Sequence, residues 1–439
     1  MFMQTAVAPA AAFRRDAPMR FGWEHLSQND RDRIADAVLR GRIPPGPFFL
    51  EIHPTNRCNS DCVFCFARGH RAGQTLPWDR LETVLREGAD GDLRLVRLSG
   101  GGEPLIYPQI DPLLDLCGRL GLRIVDLTTN AIVLERFAQR IVQIGTDFVF
   151  VSLNECDPDR FAATMQIPAK NFDRAIEGIR ALCRARDDAP PDRRPTVAVQ
   201  FCFWRDNYMH LKQMVAFGIA LNADQIVIKT LNDLPPDRRI PPEAFPAICE
   251  SILEVIEADA RPDRCRLRFD FSQEGDLNSF AVAEQNKRLP AGVRIGPAFA
   301  HHDPRREYCY MPWFGAVIAA TGVVYSCCML YERSGKELGD IHAQSLGQIW
   351  RGRPLAKLRR AFRNLMLLRG RMQPGGRLSR CIDSICLQRH ACLYNYDLCD
   401  EDFYAAMARR MEAEFSPLSR LLPRTRDALI GFARRLRGK

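Results

Sequence analysis

Three cysteines fall within eight residues in the run NRCNSDCVFC, residues 56–65, at Cys58, Cys62 and Cys65. Thiolates bind zinc and iron–sulfur clusters equally readily. Their number is the informative feature. A closed structural zinc site takes four ligands, whereas three thiolates on a cubane cluster leave one iron open to an outside ligand. The spacing C-x3-C-x2-C leaves two readings standing: a cluster with one free iron, or a zinc loop completed by a remote His or Cys.

The chain has 16 Cys in 439 residues, and their distribution matters. Cys309, Cys327, Cys328, Cys381, Cys386, Cys392 and Cys399 form a second group. The first twenty residues place their basic groups after the apolar part, the reverse of a secretory signal, and read as a frayed, soluble N-terminus. No apolar run reaches the ~18 residues that cross a bilayer. A cytoplasmic location follows as the expectation, and clustered Cys in a reducing compartment read as ligands or catalytic groups, not disulfides.

These residues need a scaffold. The apolar runs 48–53, 93–99, 122–129, 147–153, 196–203 and 225–231 are of strand length and rich in β-branched or aromatic residues. Between them, Phe172, Ala175, Ile176, Ile179, Leu182 and Cys183 follow helical spacing, as do Leu211, Met214, Val215 and Ile219. Six strands separated by helices predict an α/β fold, a partial (β/α)6 TIM-like barrel. Such folds place their sites at the carboxyl ends of the strands. The first Cys group follows the first run, Gly100-Gly101-Gly102-Glu103 the second, Thr129-Asn130 the third, and Ser152 with Asn154 ends the fourth. We expect a leader over 1–46, a core over 47–260, a helical bridge over 261–300, a Cys-rich domain over 301–400 and a basic helix over 401–439. The charge of +9 is concentrated in that last segment, which from Ala405 onward has eight Arg and one Lys against three acids. It reads as a solvated amphipathic face; nucleic acid is not the expected partner.

CNSDCVFC resembles the cluster loop of the radical S-adenosylmethionine (SAM) superfamily, down to the aromatic Phe64 before the last Cys. The resemblance implies that Cys58, Cys62 and Cys65 hold a [4Fe-4S] cluster whose open iron chelates SAM, with Phe64 near the adenine. It implies that Gly101, Gly102 and Glu103 meet the methionine amino group, and that Ser152 and Asn154 approach the SAM carboxylate or ribose; an ordinary strand-end cap is the other reading of that pair. An electron, from a donor such as flavodoxin or ferredoxin, then breaks SAM to a 5′-deoxyadenosyl radical that takes a substrate hydrogen.

Cys309-x12-Gly322-x4-Cys327, with Pro312-Trp313 between, resembles the SPASM/twitch extension of the same superfamily. This implies at least one auxiliary [4Fe-4S] cluster, on Cys309, Cys327 and two among Cys381, Cys386, Cys392 and Cys399; zinc is the alternative metal here. The x4 spacing between Cys381 and Cys386 and the absence of a Cys after Cys399 depart from the family pattern. Cys156 and Cys202, near strand ends, are candidate hydrogen-atom donors, as in related epimerases, or inert core groups. Cys117, Cys183 and Cys249 read as core. Asn207 and Lys229 read as solvated or capping groups.

Relatives with this extension act on ribosomal peptides or on carbohydrate-like metabolites. The expected function is therefore peptide modification by oxidation, cross-linking or epimerisation. The short leader argues the other way, towards oxidation of a small sugar-like or aminocyclitol metabolite. A non-catalytic zinc or iron–sulfur binding protein is the rival of another class, and it has no use for a carboxylate behind three glycines.

Overall fold

The computed structural model describes residues 22–65, 67–68, 73–231, 236–244, 266–270, 293–296, 309–331 and 335–367, with a few positions between 247 and 254. The strands are β1 (Phe49–Ile52), β2 (Leu95–Leu98), β3 (Arg123–Thr129), β4 (Phe148–Ser152), β5 (Thr196–Phe203), β6 (Gln225–Thr230), β7 (Arg266–Asp270), β8 (Val293–Gly296), β9 (Gly315–Ile318), β10 (Val323–Tyr325) and β11 (Gly339–Asp340). They form one sheet in the order β11-β10-β9-β1-β2-β3-β4-β5-β6-β7-β8. β1 to β8 are parallel in sequence order, so the six runs read from the sequence are its first six strands. The order is linear, and the sheet is an open, partial barrel of the α/β class.

Alternation along each strand divides the sheet into two faces. Leu50, Ile52, Val96, Leu98, Ile124, Leu127, Val149, Val151, Val197, Val199, Ile226 and Ile228 turn to the helical side. There they meet α2 (Trp78–Asp90), α3 (Ile110–Arg119), α4 (Ala138–Gln143), α5 (Pro158–Met165), α6 (Lys170–Asp188) and α7 (Leu211–Ala220). The helical spacing read over 172–183 is the buried face of α6. The opposite face is the inside of the barrel. Phe49, Leu95 and Val125 pack there against Trp23 and Phe314, and Phe148, Ala198 and Val227 form a second apolar patch.

Two expectations change. The second half of the leader belongs to the fold. Helix α1 (Gln28–Arg40) starts at Ser27, whose hydroxyl accepts from the Asp30 N–H at 3.1 Å, and ends at Gly41 in a left-handed conformation. Its buried Ile34 and Val38 join Trp23 in closing the apolar end of the barrel. The segment 261–300, read as a helical bridge, instead contributes β7 and β8 to the parallel sheet. The first Cys-rich residues of the C-terminal part are continuous with the core as well, because β9 pairs in parallel with β1, Phe49 opposite Gly315. No helix among the described residues is long and apolar enough to cross a membrane.

Candidate active site

The loop after β1 is held on both sides. Asp61 N–H donates to the Met165 carbonyl at 2.9 Å and Val63 N–H to the Thr164 carbonyl at 3.0 Å, both at the end of α5. These bonds fix the stretch that carries the three cysteines. Cys62 is buried, while Cys58 and Cys65 are half-buried. The Ser60 hydroxyl lies 3.4 Å from Cys58 Sγ and 3.5 Å from Cys62 Sγ, and the Asn130 side-chain amide donates to Cys58 Sγ at 3.8 Å. Three thiolates on one short loop, with N–H and O–H donors around their sulfurs, are a donor set suited to an iron–sulfur cluster. Among the described residues no three His, Cys, Asp or Glu side chains form a site for a single metal ion. Phe64 packs against Trp204, which follows β5, with ring centroids 5.4 Å apart.

The turn after β2 runs against this loop. Glu103 N–H donates to the Arg57 carbonyl at 2.9 Å. A Cβ on Gly102 would stand 2.1 Å from Arg57 O and 2.6 Å from Thr55 O, so only glycine fits. A Cβ on Gly101 would stand 2.7 Å from Asn56 Oδ1. The Glu103 carboxylate is buried. Its Oε1 accepts from the Leu105 N–H at 3.1 Å and the Thr129 hydroxyl at 2.8 Å, and its Oε2 from the Asn130 N–H at 2.7 Å. Burial pushes this carboxyl up to about 7, and those three donors pull against the rise. Three donors leave one acceptor position of the four on a carboxylate. Thr129 and Asn130, which the sequence marks only as the residues after the third run, are thus groups that hold the acid.

The remaining candidates separate. Ser152 ends β4, half-buried and paired with Gln200 on the inner face. Asn154 has φ 68° and is fully buried. Its Oδ1 accepts from the Cys202 N–H at 3.1 Å and its Nδ2 donates to the Ser152 carbonyl at 3.2 Å, so its amide ties the end of β4 to β5. Asn207 caps the end of β5 in the same manner, donating to the Cys202 carbonyl at 3.0 Å and to Glu155 Oε1 at 3.1 Å. Cys202 lies on the inner face of β5 opposite Lys229 of β6, and burial pushes its thiol up to about 12. Cys156 sits before α5, half-buried, where Arg160 donates to its sulfur at 3.6 Å. Cys117 and Cys183 are core residues. Cys309 and Cys327, both half-buried, flank the β9–β10 hairpin in the chain, Cys309 before β9 and Cys327 after β10. Cys249, Cys381, Cys386, Cys392 and Cys399, and the basic segment 401–439, lie outside the described residues.

A row of charged groups that spacing did not reveal lies on the inner face. Glu51, Arg97 and Asp126 are register neighbours on β1, β2 and β3. Arg97 lies 3.8 Å from Glu51 and 3.5 Å from Asp126, and His53 Nε2 lies 2.8 Å from Glu51 Oε1. Burial works against both carboxylates. For Glu51 the Arg97 guanidinium and His53 outweigh it and hold the carboxyl below its ordinary value, whereas the Asp126 carboxyl stays raised. Charged residues inside apolar runs are the one available signal for this row: each breaks a strand at an inward position.

The comparisons fall on this geometry. The model of the radical SAM superfamily matches residues 52–188, and that of an iron–sulfur cluster-binding domain, SPASM, matches residues 309–381. The probable GTP 3′,8-cyclase of Sulfurisphaera tokodaii is 28% identical over 178 residues, 40% of this chain and 54% of that protein. GTP 3′,8-cyclase 1 of Pseudomonas aeruginosa is 35% identical over 140 residues, 30% of this chain and 41% of that protein. The chain thus spans about half the length of the curated relatives it matches. Among solved structures, Streptococcus suis SuiB bound to S-adenosylmethionine aligns with a TM-score of 0.53 at 19% identity, covering 77% of this chain and 73% of that one. Native anSMEcpe with bound AdoMet and a peptide aligns at 0.51 and 13%, covering 85% and 98%. At these identities the structural likeness speaks for the fold alone. With both domain models matched in order over the sheet and its loops, the chain carries a radical SAM domain over residues 52–188 and, C-terminal to it, a SPASM iron–sulfur cluster-binding domain over residues 309–381.

Proposed function

We propose that the protein cleaves SAM reductively at the mouth of the barrel and takes a hydrogen atom from a peptide, leading to oxidation, a cross-link or epimerisation. The observation that carries this reading is the meeting of the three-thiolate loop after β1 with the Gly101–Glu103 turn after β2. When bound, the cluster and SAM supply the 5′-deoxyadenosyl radical. Cys58, Cys62 and Cys65 hold the cluster. Gly101 and Gly102 let the backbone approach the methionine end, and Glu103 offers its remaining acceptor position to the ammonium group. The Phe64–Trp204 pair gives the adenine an aromatic edge. Ser152 lines the inner face with its hydroxyl, while Asn154 acts by fixing the strand ends around it. Inward-facing Cys202 is better placed than Cys156 to return a hydrogen atom. Cys309 and Cys327, with two among Cys381, Cys386, Cys392 and Cys399, would hold an auxiliary cluster, which would supply one-electron redox chemistry for an oxidation. The same reading puts the enzyme in the cytoplasm, with reduced flavodoxin or ferredoxin as electron donor.

Peptide substrates draw support from neighbours in fold, since SuiB was solved with its precursor peptide SuiA and anSMEcpe with a bound peptide. A small polar metabolite is the second reading, favoured by the relatives named GTP 3′,8-cyclase and by the buried row Glu51–Arg97–Asp126. The two separate when the reconstituted enzyme, with SAM and dithionite, is offered a peptide library or GTP. A peptide that loses hydrogen or takes up solvent deuterium supports the first. Consumption of GTP with the library untouched supports the second.

A further inference from the structure

The turn that follows Cys327 and Cys328 reaches into the mouth of the core. Tyr331 closes this turn, its N–H donating to the Cys328 carbonyl at 3.1 Å. Its hydroxyl donates to Asn56 Oδ1 at 2.7 Å, a buried bond between residues 275 positions apart. Asn56 stands two residues before Cys58. Its backbone N–H donates to the Gln74 carbonyl at 2.8 Å, and its side-chain amide donates to Gln74 Oε1 at 3.2 Å. The Gly-rich turn closes on the same point, for a Cβ on Gly101 would stand 2.7 Å from Asn56 Oδ1 and 3.0 Å from the Tyr331 hydroxyl. The Tyr331 ring also lies against His53, centroids 4.9 Å apart. Three segments therefore share one buried junction: the start of the Cys58–Cys65 loop, the Gly101 turn and the Cys327–Tyr331 turn.

We infer that Tyr331 is a positioning residue through which the iron–sulfur domain sets the shape of the SAM site. The inference rests on the radical SAM reading of the Cys58–Cys65 loop. Buried hydrogen bonds specify one arrangement because the alternatives leave a polar atom unpaired. A change at Cys327 moves the Tyr331 turn, and Asn56, Gly101 and His53 are core groups against which this turn lies. Tyr331 itself handles neither electrons nor protons in this role.

The test uses the full-length, anaerobically reconstituted protein, with SAM as the probe. Tyr331→Phe, Asn56→Ala and the double variant are compared by iron per chain, by SAM affinity and by the paramagnetic resonance spectrum of the reduced clusters with and without SAM. Tyr331→Phe should keep the wild-type iron content yet bind SAM about fivefold more weakly, the scale of one buried hydrogen bond. Its SAM-induced spectral change should be altered, and the two single effects on affinity should not add, because both remove the same bond. Unchanged SAM affinity in an iron-replete Tyr331→Phe protein overturns the inference, as do additive effects. If Tyr331→Phe loses iron, Asn56→Ala decides by the same two readouts. A wild-type protein whose spectrum ignores SAM removes the functional reading itself, and this inference with it.

Discussion

The Asn130 backbone N–H donates to Glu103 Oε2 at 2.7 Å, so the end of β3 holds the carboxylate presented by the end of β2. Thr129 adds its hydroxyl to the other oxygen at 2.8 Å. The acid is therefore oriented before any ligand arrives, the arrangement a preformed ammonium site requires.

That orientation is bought against burial, and it has a pH signature. Burial, the largest influence, raises the Glu103 carboxyl from 4.5 to about 7. The folded protein thus holds this proton more tightly than the unfolded chain does. Its contribution to stability is greatest below pH 4.5 and declines as the pH rises to about 7. Relative to Glu103→Gln, which cannot ionise, the SAM-free wild type should lose about 3 kcal/mol across that interval. Urea unfolding of both proteins at several pH values measures it. A difference independent of pH would mean that Glu103 is ionised throughout.

Gly102 is fixed by backbone atoms that cannot rotate away, 2.1 Å and 2.6 Å from where a Cβ would stand. Gly102→Ala should cost about 1–3 kcal/mol of stability and lower SAM affinity by displacing the residues before Cys58. Gly118, in α3, has nothing within 4 Å of such a Cβ. Gly118→Ala should be neutral or stabilise by up to ~1 kcal/mol. Equal effects from the two substitutions would deny the close approach at Gly102.

Cys62→Ala should abolish 5′-deoxyadenosine formation and remove the absorbance of one cluster only. Retained 5′-deoxyadenosine production would contradict the ligand role of this loop.

Cys309→Ala should leave SAM binding within a few-fold of wild type and impair substrate turnover. This is read as 5′-deoxyadenosine formed without modified peptide. Unchanged turnover would make the iron–sulfur domain structural only.

The core was legible in the sequence because each strand is an apolar run with punctuation at its carboxyl end. The run 196–203 is β5 residue for residue, and 122–129 contains β3. The Cys loop and the Gly-rich turn carried their own spacing. What escaped lacked a local pattern. In β7, arginines alternate with Leu267 and Phe269, and in β8 Arg294 and Gly296 alternate with Val293 and Ile295, so neither shows the apolar run of β1 to β6. Helix α1 has helical residues, but its partners Trp23 and Phe314 come together only in the fold. The Glu51–Arg97–Asp126 row depends on strand register, including a bulge between Val96 and Arg97 that brings Asp126 into line. Tyr331 and Asn56 meet across 275 residues, and no spacing rule links them.

The central claim is most directly tested on the wild-type protein, purified anaerobically and reconstituted with iron and sulfide. Iron and sulfide are counted per chain, dithionite and SAM are added, and 5′-deoxyadenosine is assayed. The account predicts 5′-deoxyadenosine and about eight irons per chain, one cluster for SAM and one auxiliary. Bound zinc in place of iron, with no 5′-deoxyadenosine formed, would contradict it.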